Sequence, residues 1–223
     1  MNEIYIERLF PKLDNKNKYK QLQIDEESIS FITTPNNAKQ IGKIIKKYFD
    51  NNNINLNSII DCTACVGGDT ITFSKLFNKV ISVEIDKDRF NMLENNINIY
   101  KLDNIISHND DCLSVLKKYE NIQAVYFDPP WGGSDYKIHK KLRLFINDIS
   151  IEKITIDLIL KKYNKIPPKF IIFKLPKNYD LLYFYENISS LKKEINIYLH
   201  EFKKINIIIV ENLFTINEFI ILE

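Results

Sequence analysis

Glycine is scarce in this chain: there are five in 223 residues, and four of them form the pairs Gly67–Gly68 and Gly132–Gly133. Glycine used so sparingly marks places where the backbone itself requires it. Cysteine is scarcer, with Cys62, Cys65 and Cys112 alone. Three thiols make no even framework, which excludes a disulfide-stapled fold and implies a reducing compartment. No second ligand pair follows Cys62-x-x-Cys65, so neither a redox pair nor a metal is expected. No apolar run approaches the ~20 residues of a membrane span. The opening stretch MNEIYIERLFPKLD is charged throughout, unlike a secretory or transit leader. An intracellular chain, cytoplasmic or nuclear and away from membranes, is therefore expected. Neither sign of charge is in excess: 31 basic and 29 acidic residues leave a formal +2. Affinity for a polyanion would have to come from a few placed cations.

What is present suits one α/β domain, since 223 residues at 45% hydrophobic content can bury a single large core. Residues 1–34 show no long periodicity and read as an N-terminal arm, leaving 35–223 as the domain. Asn36–Phe49 places Ile41, Ile44, Ile45 and Phe49 at helical spacing behind Pro35. Strand and helix signals then alternate. Strands are expected at Ser58–Asp61, Lys79–Glu84, Ile105–His108, Ala124–Asp128 and Lys169–Leu175. Helices are expected at Thr70–Phe77, Arg89–Tyr100 and Cys112–Lys118. Such alternation means βαβ units and a parallel sheet. The charged stretch Lys137–Lys165 reads as helical. The β-branched tail from Ile195 reads as two or three strands, at least two of them antiparallel.

Four signals sit at successive strand ends, where open α/β sheets bind ligands. Asp61-Cys62-Thr63-Ala64-Cys65-Val66-Gly67-Gly68-Asp69-Thr70 turns from a strand into a helix, and its glycines would let backbone approach a cofactor at a helix N-terminus. Glu84 puts a carboxylate at the tip of the second strand, the position that meets ribose hydroxyls in α/β cofactor folds. Asp86 reads as the cap of the next helix. Asp110–Asp111 reads equally as a cap for the helix at Cys112 or as an acceptor for an adenine amine. Asp128-Pro129-Pro130-Trp131-Gly132-Gly133 closes the series. Its prolines remove two N–H groups and leave carbonyls beside a carboxylate. Those acceptors suit an exocyclic amine, whose delocalised lone pair must be aligned before it can attack. Trp131 offers a face on which a base can stack.

The runs DCTACVGGDT, VEID, DDC and DPPWGGSDY together resemble the trimethylguanosine synthase family, which methylates the guanine N2 amine of 7-methylguanosine RNA caps. The similarity spans about Arg8 to Asn178, including RLFPKLD, FITTP and LPKN. It implies a Rossmann-like class I S-adenosylmethionine-dependent methyltransferase: a mostly parallel seven-stranded sheet with an antiparallel C-terminal strand pair and a short N-terminal arm. It implies S-adenosylmethionine as cofactor, no metal, 7-methylguanosine-capped RNA as partner and a monomer. Carried onto this chain, Asp61, Thr63, Gly67, Gly68, Thr70, Glu84, Asp86, Asp111, Cys112, Asp128 and Pro129 would hold the cofactor. Asp128 and the Pro129 carbonyl would hold N2, and Trp131 would stack on the methylated guanine. Gly132, Gly133, Asp135 and Tyr136 would complete that side, Lys177 and Asn178 would meet the cap phosphates, and Phe31, Thr34 and Pro35 would belong to the arm. The chain departs from the family where Cys65 replaces a common Gly and Asp69 a common Asn. The large N-terminal region of animal members is absent, so a catalytic core alone is expected. The Ile-, Asn- and Lys-rich composition suits an A+T-biased giant-virus or protist source.

Two other functions carry some of the same features. One is an amino-methyltransferase acting on an internal base, tRNA guanine-N2 or adenine-N6, which would need a binding surface beyond this small core. The other is a non-catalytic methyltransferase fold serving as an RNA-binding subunit, against which the intact Asp128-Pro129-Pro130 acceptors argue.

Overall fold

The computed structural model describes residues 3–191 and 193–213. The chain forms two compact units, the first ending at Leu116 and the second beginning at Lys117.

The first unit holds helices α1 (Glu3–Leu9), α2 (Ser28–Phe31), α3 (Pro35–Asn51), α4 (Thr70–Phe73), α5 (Lys87–Tyr100) and α6 (Cys112–Leu116). Its strands are β1 (Ser58–Asp61), β2 (Lys79–Val83) and β3 (Ile105–His108), parallel in the order β3-β2-β1. Ile59 pairs with Val80 and Val80 with Ile105, so β-branched residues face one another along the ladder. Helix α3 buries Ala38, Ile41, Gly42, Ile45 and Phe49, the stripe its spacing predicts, with Pro35 in its first turn. Phe49 meets Phe77 edge-on at 5.4 Å. Helix α4 stops at Phe73, four residues short of its expected end.

The N-terminal segment belongs to this unit's core. Ile6, Leu9, Phe10, Leu13, Tyr19, Leu22 and Ile32 cluster with Val66 and Ile71. Asn96 of α5, fully buried, fastens it: its Oδ1 accepts from the Gln23 N–H, and its Nδ2 donates to the Gln23 and Val66 carbonyls. One side chain thus satisfies three backbone groups where the segment crosses the glycine loop.

The second unit holds β4 (Ala124–Phe127), β5 (Phe145–Ile146), β6 (Ile149–Ser150), α7 (Ile151–Ile159), β7 (Phe170–Pro176), α8 (Leu181–Ser189), β8 (Ile195–Glu201) and β9 (Ile205–Asn212). The strand order is β4-β7-β9-β8; β4 and β7 are parallel, and β9 runs antiparallel to both its neighbours. Every residue of β7 and β9 is buried, and Phe127 stacks on Phe173 at 5.1 Å. Seven strands, mostly parallel with an antiparallel C-terminal pair, is the arrangement the sequence implied.

The stretch 137–165 corrects the sequence expectation. Only Ile151–Ile159 is α-helical; before it lies the β5–β6 hairpin. Asn147 and Asp148 turn that hairpin with φ of 48° and 61°, the left-handed pair that a two-residue turn requires. Helix α8 falls in residues with no assigned element. The third strand expected in the tail lies beyond residue 213, outside the described residues.

Candidate functional site

In the first unit, the residues expected to hold a cofactor converge on the loop between β1 and α4. Asp61 is buried at the end of β1. Its Oδ2 accepts from the Thr70 hydroxyl at 2.6 Å and its Oδ1 from the Thr63 N–H at 3.4 Å, so the carboxylate ties the two ends of the loop together. Between them the backbone twice enters left-handed space, at Cys65 (φ 49°) and Gly67 (φ 101°). The first of these positions explains the common glycine of the family, because a side chain there costs about 1–2 kcal/mol. Gly68 is needed for space: a Cβ there would stand 2.7 Å from Ile32 Cγ1 and 3.2 Å from the Thr33 carbonyl oxygen. Asp69, the second departure, accepts from the Thr33 hydroxyl at 2.6 Å, so both departures lie where the N-terminal segment meets the loop.

Glu84, just past β2, is buried and uses both carboxylate oxygens. Oε2 accepts from the Cys65 N–H and Oε1 from the Asp86 N–H, each at 2.8 Å. Burial raises its pKa above the usual glutamate value, and the two backbone N–H groups offset only part of that rise. Asp86 is exposed and caps α5 by accepting from the Asp88 and Arg89 N–H groups. Asp111 caps α6 through the Leu113 and Ser114 N–H groups. The capping readings of both aspartates are therefore realised. Cys112 is buried beside Cys62, whose thiol is pushed well up by burial and by its hydrogen bond with Cys112. Burial pushes the Cys65 thiol up to about 11, so neither Cys62 nor Cys65 is an activated nucleophile.

Phe31 is 47% exposed, with the Arg89 guanidinium 5.8 Å from its ring centroid. Arg89 is held in turn by Asp25 and Glu27. Thr34 and Pro35, at the start of α3, line a cavity of about 580 Å³ with Arg8, Lys12, Lys16 and Tyr19. Thr34 makes no side-chain capping bond to the helix.

In the second unit, Asp128 follows β4 and is one-fifth exposed. Its Oδ2 accepts from the Lys174 ammonium, a residue the sequence reading did not single out. The available signal was a lysine inside the apolar run KFIIFKL. Pro129 is buried and Pro130 exposed. The Trp131 indole lies edge-on to Tyr136 at 5.2 Å, and its Nε1 is buried with no acceptor among the described residues. Gly132 and Gly133 take φ of 89° and 71° in open space, so conformation and not crowding requires glycine there. Asp135 is exposed in the 3₁₀ turn Gly133–Ile138 that follows.

Asn178 braces that turn, donating from Nδ2 to the Tyr136 and His139 carbonyls at 2.6 and 2.7 Å. Behind it, buried Glu152 accepts from Arg143 and from Tyr179, and Arg143 stacks on the Tyr183 ring at 3.3 Å. Lys177 donates to Asn206 Oδ1 at 2.7 Å and Glu201 Oε1 at 3.1 Å. Among the described residues, no three His, Cys, Asp or Glu side chains gather to hold a metal. No described helix is long and apolar enough to cross a membrane.

Residues 56–213 match the family described as RNA cap guanine-N2 methyltransferase. An uncharacterized protein of Acanthamoeba polyphaga mimivirus is 33% identical over 202 residues, covering 82% of this chain and 77% of that one. The trimethylguanosine synthase of Schizosaccharomyces pombe is 32% identical over 129 residues, 55% of this chain and 52% of that protein, so the match spans about half its length. Among solved structures, precorrin-6y C5,15-methyltransferase of Geobacter metallireducens shares the fold at a TM-score of 0.59 and 11% identity, over 86% of this chain and 95% of its own. A Streptococcus mutans protein solved with S-adenosylhomocysteine aligns at a TM-score of 0.50 and 17% identity, over 71% and 90%. The fold is that of class I S-adenosylmethionine-dependent methyltransferases, and the chain belongs to the RNA cap guanine-N2 methyltransferase family.

Proposed function

We propose that this protein transfers a methyl group from S-adenosylmethionine to the exocyclic N2 of 7-methylguanosine at an RNA 5′ cap. The observation that carries the reading is the Asp128-Pro129-Pro130-Trp131 turn at the end of β4. It joins a buried-side carboxylate, a carbonyl without a competing N–H and an aromatic face in four residues. Bound S-adenosylmethionine supplies an electrophilic methyl group. The donor set of the first unit fits that group: Glu84 stands at the tip of β2 beside the Cys65 N–H of the glycine loop, a charged acceptor suited to a ribose diol. Thr63, Gly67, Thr70, Asp86, Asp111 and Cys112 complete the cradle. Asp61 acts by shaping the loop.

Toward the base, Asp128 and the Pro129 carbonyl accept the two amine hydrogens. Restraining those hydrogens points the nitrogen lone pair in one direction, and such alignment supplies much of the barrier reduction in group transfer. Trp131 stacks on the base, and the positive charge of an N7-methylated guanine over its face is worth about 0.5–2 kcal/mol. By family resemblance, Phe31, Thr34 and Pro35 would belong to the arm, and Lys177 would meet the cap phosphates. Mass spectrometry of a 7-methylguanosine cap dinucleotide incubated with enzyme and S-adenosylmethionine tests the reading. A mass gain of one or two methyl groups, at least about tenfold faster than on the unmethylated dinucleotide, is expected. Equal turnover of the two dinucleotides would remove the stacking argument, and absence of product the cap assignment.

A further inference from the structure

Lys174 is the least expected charge in the molecule. It sits in the middle of β7, between Phe173 and Leu175, and only 6% of its side chain is exposed. An ammonium is among the costliest groups to bury, and strands keep one inside only when it is paired. Its partner is Asp128 Oδ2, and the same ammonium stands 5.7 Å from the centre of the Trp131 ring. One buried cation therefore bonds one of the side chains that the proposed function assigns to the base and stands within cation–π range of the other.

We propose that Lys174 is a positioning and specificity-determining residue for the amine acceptor site, a role that rests on the reading of Asp128 and Trp131 given above. Its first effect is on geometry. By engaging Oδ2 it restrains rotation of the carboxylate that the proposed function sets against the amine. Its second effect is on charge. The Lys174–Asp128 pair is neutral as a whole, so the turn offers acceptors without a net negative field. Its third effect is on the ring. A resident cation near the indole opposes a second cation on the same π-system, so Lys174 trades affinity for a cationic base against placement of its amine.

These effects separate positioning from structural support, because the first supports turnover while the second and third weaken base binding. Lys174→Met keeps the aliphatic stem and removes the charge. Its kcat is expected to fall on the order of 10- to 100-fold, while KM for the 7-methylguanosine dinucleotide stays level or falls. Affinities for 7-methylguanosine triphosphate and GTP can be read directly from fluorescence, since Trp131 is the one tryptophan of the chain. The ratio favouring the methylated base is expected to rise several-fold. In an Asp128→Asn background, adding Lys174→Met should lower kcat by less than about threefold, because the group through which Lys174 acts is already changed. That double variant leaves no unpaired buried charge, and it carries the comparison if Lys174→Met alone does not fold. An equal kcat loss in both backgrounds, or an unchanged affinity ratio, overturns the proposal and leaves a purely structural pair. The cycle is run on whichever nucleobase amine the wild type methylates. Turnover on another base and not on the cap overturns the cap reading while the coupling still judges Lys174. Failure to methylate any nucleobase amine overturns both.

Discussion

Glu84 offers the sharpest test of the cofactor half, and the structure alters how it should be done. Both its oxygens are engaged at 2.8 Å by backbone N–H groups, those of Cys65 and Asp86. Glu84→Ala would strip the acceptor from each. A donor left unsatisfied costs ~1–3 kcal/mol, so with two such donors the alanine variant loses about 2–6 kcal/mol before any cofactor is added. That is a large part of the ~5–15 kcal/mol that holds a typical domain folded. Glu84→Gln is the better probe: it keeps one acceptor oxygen, and its amide group opposes only one of the two N–H donors. A stability loss of about 1–2 kcal/mol is expected, read as a lower thermal midpoint. Hydrogen bonds to a charged acceptor contribute ~1.5–3 kcal/mol, so S-adenosylmethionine should bind Glu84→Gln on the order of 10- to 100-fold more weakly by calorimetry. A lower midpoint with an unchanged dissociation constant would show that Glu84 only clamps the loop, and the assignment of the ribose to this strand tip would be wrong.

Further expectations follow from the same geometry. Burial raises the Glu84 pKa, so the carboxylate takes up its proton at a higher pH than an ordinary glutamate. Cofactor affinity should be full above that raised pKa and decline as pH falls through it; a decline that begins no earlier than an ordinary glutamate's protonation in the wild type, or one that persists in Glu84→Gln, would count against this. Lys177 is shared between Asn206 and the exposed Glu201, so Lys177→Ala should raise KM for the capped dinucleotide several-fold and Glu201→Ala should lower it, with both effects shrinking at high salt. If 7-methylguanosine nucleoside suffers as much as the dinucleotide, the phosphate assignment of Lys177 fails. Gly68→Ala places a methyl 2.7 Å from Ile32 and should lower stability by ~1–3 kcal/mol, with a thermal midpoint equal to wild type as the contrary result.

The sequence by itself determined the parts whose cause is local. Strands β1 to β4 and β7 lie where short apolar runs end in turn residues, and α3 lies where its apolar stripe and Pro35 placed it, because such patterns are set within one element. The acidic strand tips and the Asp128-Pro129-Pro130-Trp131 turn were legible for the same reason: their chemistry is written in consecutive residues. The stretch 137–165 misled because its charge and apolar spacing suit a helix, while a hairpin of two-residue strands is too short to show a period of its own. Helix α8 was missed because its faces are not distinct. Leu182 and Tyr185 are exposed beside buried Phe184 and Ile188. Only the tertiary structure decided the pairings across long stretches of chain. Asn96 fastens the N-terminal segment to the glycine loop from 73 residues away, and Lys174 reaches Asp128 across 46. Buried polar groups must find partners wherever the fold brings them, and no spacing in the sequence records which partner that will be.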